Sequence, residues 1–304
     1  MPSTVEIVEV GPRDGLQNES VLLETAVKIE FIDRLVAAGA KRLEVASFVH
    51  PKMVPAMADS DQLMRGLRRS AGVKYIGLAL NERGMRRALD AGCDEVNFVM
   101  VASSGFGLRN QNATPEQTAE LFERISVLAH DDKVPVSVTI SVAFGDPFDG
   151  EVSTEILEML VRRAIAAGAS EIALGDTIGV ADPWSVAQVI KRISPILGNV
   201  PLRMHFHNTR NTALANIYAS LMEGVGIVDA SCGGIGGCPF APDATGNVPT
   251  EDVLYMLSRA GMATGLDLES MIDTSNWLAK QLGKELPALL PKAGNFPPAD
   301  LPSA

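Results

Sequence analysis

The sequence of 304 residues predicts an α/β fold, a (β/α)8 TIM barrel with extra C-terminal helices. Three observations support this prediction. Short apolar runs recur along the chain, helical patterns lie between them, and several of those patterns end on a glycine just before the next run. Strands that alternate with helices form right-handed βαβ units, and eight such units close a barrel.

The candidate strands are nearly continuous in apolar residues, as expected where both faces of a parallel sheet are covered. In chain order they are VEIVEV from Val5, RLEVASF from Arg42, KYIGLAL from Lys74, DEVNFVMV from Asp94, VPVSVTISV from Val134, EIALGDT from Glu171, LRMHFHNT from Leu202 and GIVDASCGG from Gly226. An open doubly wound sheet is the alternative. It is disfavoured because the first strand leads into GPRDG at residues 11–15, where a dinucleotide-binding fold would have a G-x-G-x-x-G turn.

The segments between the strands carry helical signals. Ile29, Ile32 and Leu35 share one face of the first, and Thr114 and Asp182 each stand before a proline, as a capping residue does. The glycines expected to end helices are Gly39, Gly92, Gly168 and Gly224. We expect a single domain over residues 1–304, with the barrel at about 4–264 and the C-terminal helices and a loose tail at about 265–304.

Composition excludes several classes of protein. The net charge is −11, and no Lys/Arg run is longer than a pair, so we expect no nucleic-acid partner. No apolar stretch is long enough to span a membrane, and the N-terminus lacks the features of a signal peptide. Three cysteines do not make a disulfide framework. These features predict a cytoplasmic protein without a membrane partner.

Polar residues gather where the strands end, which is where such barrels place their chemistry. His205 and His207 are two apart on one strand, so their side chains point to the same side. Asp14 lies at the end of the first strand, and strands 1, 7 and 8 are neighbours in a closed barrel. Hydrogen-bonded histidines without a metal are the alternative, but two of only four histidines share this strand. Two imidazoles and a carboxylate therefore predict one divalent metal ion, such as Mn, Zn, Co or Mg.

Three further residues are candidates for catalysis. Arg13 can form a surface salt bridge or stabilise a developing oxyanion. Glu44 lies in an apolar strand, where a carboxylate is costly unless it is paired, and Arg13 is the expected partner. Cys238 follows a glycine-rich segment that can move over a site and bring a thiol as acid or base. A small buried side chain is the alternative for this cysteine, and it is the interpretation we adopt for Cys93 and Cys232.

Together these segments resemble the hydroxymethylglutaryl-CoA lyase family of TIM-barrel metallolyases, from Val5 to Leu282. The matching motifs are VEVGPRDGLQNE at Val8–Glu19, SFV-x-P-K at Ser47–Lys52, LGDTIGV at Leu174–Val180, H-x-H-N-T from His205, GGIGGCPFAP at Gly233–Pro242 and TGN-x-x-TEDVLYML at Thr245–Leu257.

The resemblance implies a ligand set and an activity. The implied metal ligands are Asp14, His205, His207 and Asn247, around one Mg, Mn or Zn ion. Arg13 would stabilise an enolate, Glu44 would organise Arg13, and Cys238 would shuttle a proton. Gln17 and Asp176 would contact the substrate or support the site. The implied reaction cleaves a 3-hydroxy-3-methylglutaryl-CoA-like substrate to acetyl-CoA and a keto acid, in an enzyme that we expect to be a homodimer.

The sequence departs from the family pattern around the substrate. Asn208 replaces an aspartate, Arg210 is added nearby, and Ser20 replaces a lysine. His50 replaces a serine, and residues 146–150 read DPFDG where the family has Cys-Pro-Tyr-Glu-Gly. His50 and Arg210 are therefore candidate substrate contacts. An added arginine suits a second carboxylate, so the alternative activity is metal-dependent hydrolysis of a small dicarboxylate epoxide, cis-epoxysuccinate, to tartrate. A non-catalytic binder is disfavoured because the candidate site residues are all present.

Overall fold

The computed structural model describes residues 1–237 and 246–296. Within them the strands form a closed parallel barrel in chain order, with the first strand paired to both the second and the eighth. The strands are β1 Glu6–Glu9, β2 Arg42–Ser47, β3 Lys74–Ala79, β4 Glu95–Val101, β5 Val136–Ser141, β6 Glu171–Asp176, β7 Leu202–Phe206 and β8 Ile227–Ala230. Each lies inside one of the predicted apolar runs, and the TIM-barrel prediction is confirmed.

Helices follow the strands around the outside. They are α1 Thr25–Ala37, α2 Ser60–Gly66, α3 Glu82–Asp90, α4 Ser104–Asn110, α5 Pro115–Asp131, α6 Thr154–Ala166, α7 Pro183–Leu197, α8 Ala213–Met222, α9 Thr250–Arg259, α10 Leu268–Leu282 and α11 Leu290–Ala293. Thr114 and Asp182 cap α5 and α7 in reciprocal capping boxes, as predicted. The four glycines predicted to end helices all have positive φ.

The predicted C-terminal helices pack on the barrel. Trp277 of α10 stacks on Phe31 of α1 with ring centroids 6.2 Å apart, and the Arg34 guanidinium lies 4.7 Å from the Trp277 ring. The end of the expected tail, residues 297–304, lies outside the described part of the chain. Among the described helices, none is long and apolar enough to cross a membrane.

Two different environments occupy the two faces of the sheet. The large apolar core lies between strands and helices, while Val8, Val10 and Ile76 form a separate small cluster. Ile7 of β1 joins the outer core, whereas Val8 of β1 and Val10, which directly follows the strand, join the inner cluster, as strand alternation requires.

The floor of the barrel interior is ionic, although such barrels are usually filled by layers of branched apolar side chains. Arg42 pairs with Glu95 at 2.6 Å and with Glu171 at 2.7 Å, and all three are buried. Arg203 pairs with Glu171 at 2.8 Å and with Asp229 at 2.9 Å. Buried charges need such partners, so this network fixes side chains on five strands relative to one another.

Candidate functional site

The two histidines of the seventh strand region converge on the carboxylate that follows β1. His205 Nε2 lies 3.9 Å from Asp14 Oδ2, and His207 Nε2 lies 3.7 Å from the same oxygen. The ligand atoms of the three residues all lie within 4.8 Å of one another. The structure therefore brings together the three side chains that the spacing of the sequence associated with a metal.

A short π-helix, Gly11–Gly15, carries Arg13 and Asp14 at the end of β1. The Arg13 guanidinium donates to Glu44 Oε1 from Nε at 2.6 Å and to Asp14 Oδ1 from Nη1 at 2.8 Å. Asn97 Nδ2 donates to the other Glu44 oxygen at 3.4 Å. The predicted pairing of Arg13 with Glu44 is confirmed, and it satisfies a carboxylate that would otherwise be unpaired in an apolar strand.

Asn247 reaches the site through backbone pairing with the end of the seventh strand. It forms an isolated antiparallel bridge with His207, and Val248 N donates to Phe206 O at 3.1 Å. The Asn247 amide donates to Asp14 Oδ2 at 2.8 Å and to Ile235 O at 3.1 Å. Asn247 therefore lies beside the Asp14 carboxylate, toward which it turns its amide NH₂ group.

Cys238 lies outside the described residues. Gly237, the residue before it, accepts a hydrogen bond from Asn18 Nδ2 to its carbonyl oxygen at 2.8 Å. The segment that leads to Cys238 therefore contacts the one that follows Asp14.

Asp229 orients His205 and was missed by the sequence analysis. Its Oδ2 lies 3.0 Å from His205 Nδ1, and its Oδ1 accepts from Arg203 Nη1 at 2.9 Å. A signal for it existed, because Asp229 interrupts the apolar strand IVDA as Glu44 interrupts its own strand.

The charges around the histidines shift several pKa values. Burial alone would raise the pKa of Asp14, but Arg13 and the two imidazoles outweigh it and hold that pKa well below its usual range. Burial would also raise the pKa of Asp229, and Arg203 and His205 lower it instead. The pKa of His205 is raised, because the carboxylates of Asp229 and Asp14 outweigh its burial. Both aspartates are therefore ionised at neutral pH.

The donor set fits a divalent metal ion. Spacings of 3.7 and 3.9 Å between nitrogen and oxygen leave room for an ion about 2 Å from each atom. Imidazole nitrogens and a carboxylate suit Zn and Mn, and carboxylate and amide oxygens also suit Mg. Because the pKa of Asp14 is lowered, its carboxylate is already deprotonated at neutral pH, so a cation can bind without displacing a proton from it.

A cavity of about 1120 Å³ opens from these residues to the mouth of the barrel. Its lining includes Arg13, Asp14, Glu44, His205 and His207, and it also includes two predicted substrate contacts, Gln17 and His50. The apolar part of the wall includes Val54, Leu80, Phe106 and Leu108. Ligand pockets for drug-sized molecules are about 300–1000 Å³, so this cavity accommodates a large ligand.

Comparison with known proteins places this site in a family. A family model described as HMGL-like matches residues 4–278 of the chain. The chain belongs to the HMGL-like family. The resemblance derived from the sequence motifs is thereby confirmed, and the protein is a lyase of the HMGL type.

Relatives of this HMGL-like lyase have named activities. An (R)-citramalyl-CoA lyase from Chloroflexus aurantiacus is 42% identical over 300 residues, which cover 95% of each chain. A 3-hydroxy-3-isohexenylglutaryl-CoA/hydroxy-methylglutaryl-CoA lyase from Pseudomonas aeruginosa is 42% identical over 284 residues, 93% of this chain and 95% of its own. An HMG-CoA lyase from Acinetobacter baumannii, solved with coenzyme A and 3-methylmalate, has a TM-score of 0.93 at 36% identity, covering 99% of this chain and 98% of that one.

Two predicted substrate contacts of the HMGL-like lyase lie elsewhere in the described structure. The Asp176 carboxylate accepts backbone N–H groups from Val180 at 2.8 Å and Ala181 at 3.0 Å. Arg210 Nη1 donates to the carbonyl oxygens of Ile178 at 3.1 Å and Gly179 at 2.9 Å. Within the described residues neither side chain lines the cavity, and both instead hold the loop after β6.

Proposed function

We propose that this HMGL-like lyase uses one divalent ion, Mg, Mn or Zn, to cleave a 3-hydroxy-3-methyl acyl-CoA to acetyl-CoA and a keto acid. Hydroxymethylglutaryl-CoA and (R)-citramalyl-CoA are the two candidate substrates. They share the C3 hydroxyl and methyl groups and differ by one methylene before the distal carboxylate. The observation that carries the proposal is the cluster of Asp14, His205 and His207 beside Arg13, at the base of a cavity of about 1120 Å³.

The proposed ligands are Asp14, His205, His207 and the side-chain oxygen of Asn247. When bound, the ion supplies Lewis acidity, which polarises the substrate hydroxyl and lowers its pKa. Asp14 contributes a carboxylate that stays ionised. An imidazole binds a metal through a nitrogen lone pair and adds no charge, so the two histidine ligands would not reduce the positive charge of the ion. These residues position the C3 hydroxyl, whose proton must pass to a base that reaches it through the open cavity, such as a water molecule, before the C2–C3 bond breaks.

Arg13 and Cys238 complete the reaction that we propose. As the C2–C3 bond breaks, its electron pair passes to the thioester, and the Arg13 guanidinium stabilises the negative charge on the thioester oxygen. Glu44, 2.6 Å from Arg13 Nε, holds the guanidinium in place. Cys238 then gives the proton that C2 needs to become the methyl group of acetyl-CoA. The carbon that carried the hydroxyl becomes the carbonyl of the keto acid.

The hydrolase alternative finds no support in the relatives compared, whose names specify CoA thioesters. The feature that suggested it was an extra guanidinium for a second carboxylate. In the structure, Arg210 Nη1 donates to the loop carbonyls of Ile178 and Gly179 instead.

The decisive experiment is a product assay on protein stripped with a chelator and reloaded with Mn²⁺ or Mg²⁺. We expect acetyl-CoA, detected by mass spectrometry, from at least one of the two candidate thioesters and only after reloading. Acetoacetate or pyruvate as the second product identifies which thioester is cleaved. Metal-loaded protein that forms acetyl-CoA from neither refutes the proposal, and tartrate from cis-epoxysuccinate would establish the hydrolase. Acetyl-CoA from stripped protein would refute the metal dependence.

A further inference from the structure

Buried charged side chains connect the floor of the barrel to His205. Glu171 Oε1 lies 2.8 Å from Arg203 Nε, Arg203 Nη1 lies 2.9 Å from Asp229 Oδ1, and Asp229 Oδ2 lies 3.0 Å from His205 Nδ1. Arg203 is fully buried and Asp229 is 4% exposed. The ion pair between Arg203 and Asp229 is therefore shielded from bulk solvent, and the Asp229 carboxylate is held by its two protein partners, Arg203 and His205.

We propose that Asp229 is a positioning residue, which fixes the tautomer and the orientation of His205 so that Nε2 faces the metal. This inference rests on the proposed metal site. Arg203 has donors only, so Asp229 must accept from it. An ionised carboxylate also has only acceptors to offer His205, so the proton of the neutral ring belongs on Nδ1. Nε2, 3.9 Å from Asp14 Oδ2, then keeps its lone pair for the ion.

The second histidine lacks this constraint. His207 Nδ1 is buried and has no hydrogen-bond partner within the described part of the chain. The two imidazole rings have centroids 5.1 Å apart. Within the described residues, a carboxylate fixes the tautomer of His205, whereas no side chain bonded to Nδ1 does so for His207. A change at Asp229 is expected to act on His205 and to leave the tautomer of His207 unchanged.

The variant Asp229→Asn tests this logic because an amide has one acceptor where the carboxylate has two. The Arg203 guanidinium is fully buried and needs that oxygen, so the NH₂ group of the asparagine turns toward His205 Nδ1. His205 must then accept at Nδ1 and carry its proton on Nε2, which removes the lone pair from the metal side. Second-layer partners of this kind contribute 10- to 100-fold to metal affinity, so we expect Mn²⁺ to bind about 10- to 100-fold more weakly.

Two measurements separate this effect from a loss of stability. Electron paramagnetic resonance of free Mn²⁺ gives the dissociation constant without any assay of activity. Nitrogen-15 NMR of the imidazoles in metal-free protein, at a pH where the rings are neutral, reports which nitrogen carries the proton. Single His→Gln variants assign the four histidines. The matched control is Glu95→Gln, which makes the same change in the same ionic network, at a carboxylate bonded to Arg42 and Ser137 and not to His205.

We expect the proton of His205 on Nδ1 in unaltered protein and in E95Q, and on Nε2 in D229N. A proton on Nε2 in unaltered protein overturns the inference, even if D229N does not fold. Folded D229N that keeps both the tautomer and the Mn²⁺ affinity overturns it as well, while leaving the proposed function intact. If unaltered protein binds no Mn²⁺ although His205 has the expected tautomer, the proposed metal site fails instead.

Discussion

The buried carboxyl group of Glu9 lets us predict how the free energy of unfolding depends on pH. Its side chain is fully buried and accepts hydrogen bonds from Gly11 N at 2.8 Å, Cys232 N at 2.9 Å and Thr250 Oγ1 at 2.7 Å. Burial raises the pKa of Glu9 from 4.5 to about 8, although these donors oppose the shift. At neutral pH the group is therefore mostly protonated in the folded protein, and Glu9→Gln copies the shape of that neutral form.

The sign and size of the effect follow from proton binding. Between pH 4.5 and about 8, the folded protein holds a proton on Glu9 that the unfolded chain has released. The contribution to stability is complete below pH 4.5 and is lost as the pH rises through the folded value, at about 1.4 kcal/mol per pH unit. Over the whole interval the loss amounts to about 5 kcal/mol. The glutamine of E9Q does not titrate, so its unfolding free energy has no such loss. E9Q should therefore be about as stable as unaltered protein in acid and more stable at alkaline pH.

Urea unfolding of both proteins across this pH range, in chelator and followed by tryptophan fluorescence, measures the difference directly. Glu251, whose pKa burial raises to about 7, is present in both proteins, so the difference in unfolding free energy reports mainly on Glu9. The exposed Glu285 supplies the matched control, and E285Q should follow unaltered protein throughout. A difference between E9Q and unaltered protein that does not change with pH would refute the reasoning. So would greater stability of unaltered protein at high pH, because the three donors would then be holding a carboxylate.

Three further predictions concern the site. Asp14→Ala removes the shared oxygen ligand, so Mn²⁺ binding and acetyl-CoA formation should both be lost, and full activity without bound metal would contradict the site. Arg210→Met removes the donor from two loop carbonyls at an exposed position and should lower the unfolding free energy by about 0.5–1.5 kcal/mol with the KM for the thioester unchanged. A raised KM at unchanged stability would place Arg210 on the substrate. Cys238→Ser should lower kcat at least 10-fold, because a hydroxyl is a weaker acid than a thiol, and an unchanged kcat would remove Cys238 from the proton transfer.

Much of the fold was predictable because its signals are local. Apolar runs, capping residues such as Thr114 and Asp182, and helix-ending glycines mark each βα unit within a few residues. The convergence of His205 and His207 on Asp14 follows from strand alternation and barrel closure, and both are general rules.

The remaining parts of the site depend on contacts that the local pattern does not contain. The position of Asn247 comes from backbone pairing with His207, forty residues earlier, and only the family resemblance indicated it. Arg210 was expected near the substrate because it follows the histidines closely in sequence. The seventh strand ends at Phe206 and the chain turns, with a φ of 57° at Asn211, so strand alternation no longer governs where Arg210 points. It faces the carbonyls of the loop after β6 instead.

The charges inside the barrel give an argument for the cation that does not depend on ligand spacing. Among the described residues, three guanidiniums and five carboxylates that are buried or, for Asp14, half-buried are linked there by ion pairs or through His205. They are those of Arg13, Arg42, Arg203, Asp14, Glu44, Glu95, Glu171 and Asp229. Glu6 also pairs with Arg42 at 3.3 Å, but its side chain is 48% exposed, so solvent screens its charge. With every group ionised, the set lacks two positive charges. Unbalanced charge is costly in a low-dielectric interior. The divalent ion that we propose between His205, His207 and Asp14 would supply both missing charges, at the end of the network that opens to the cavity.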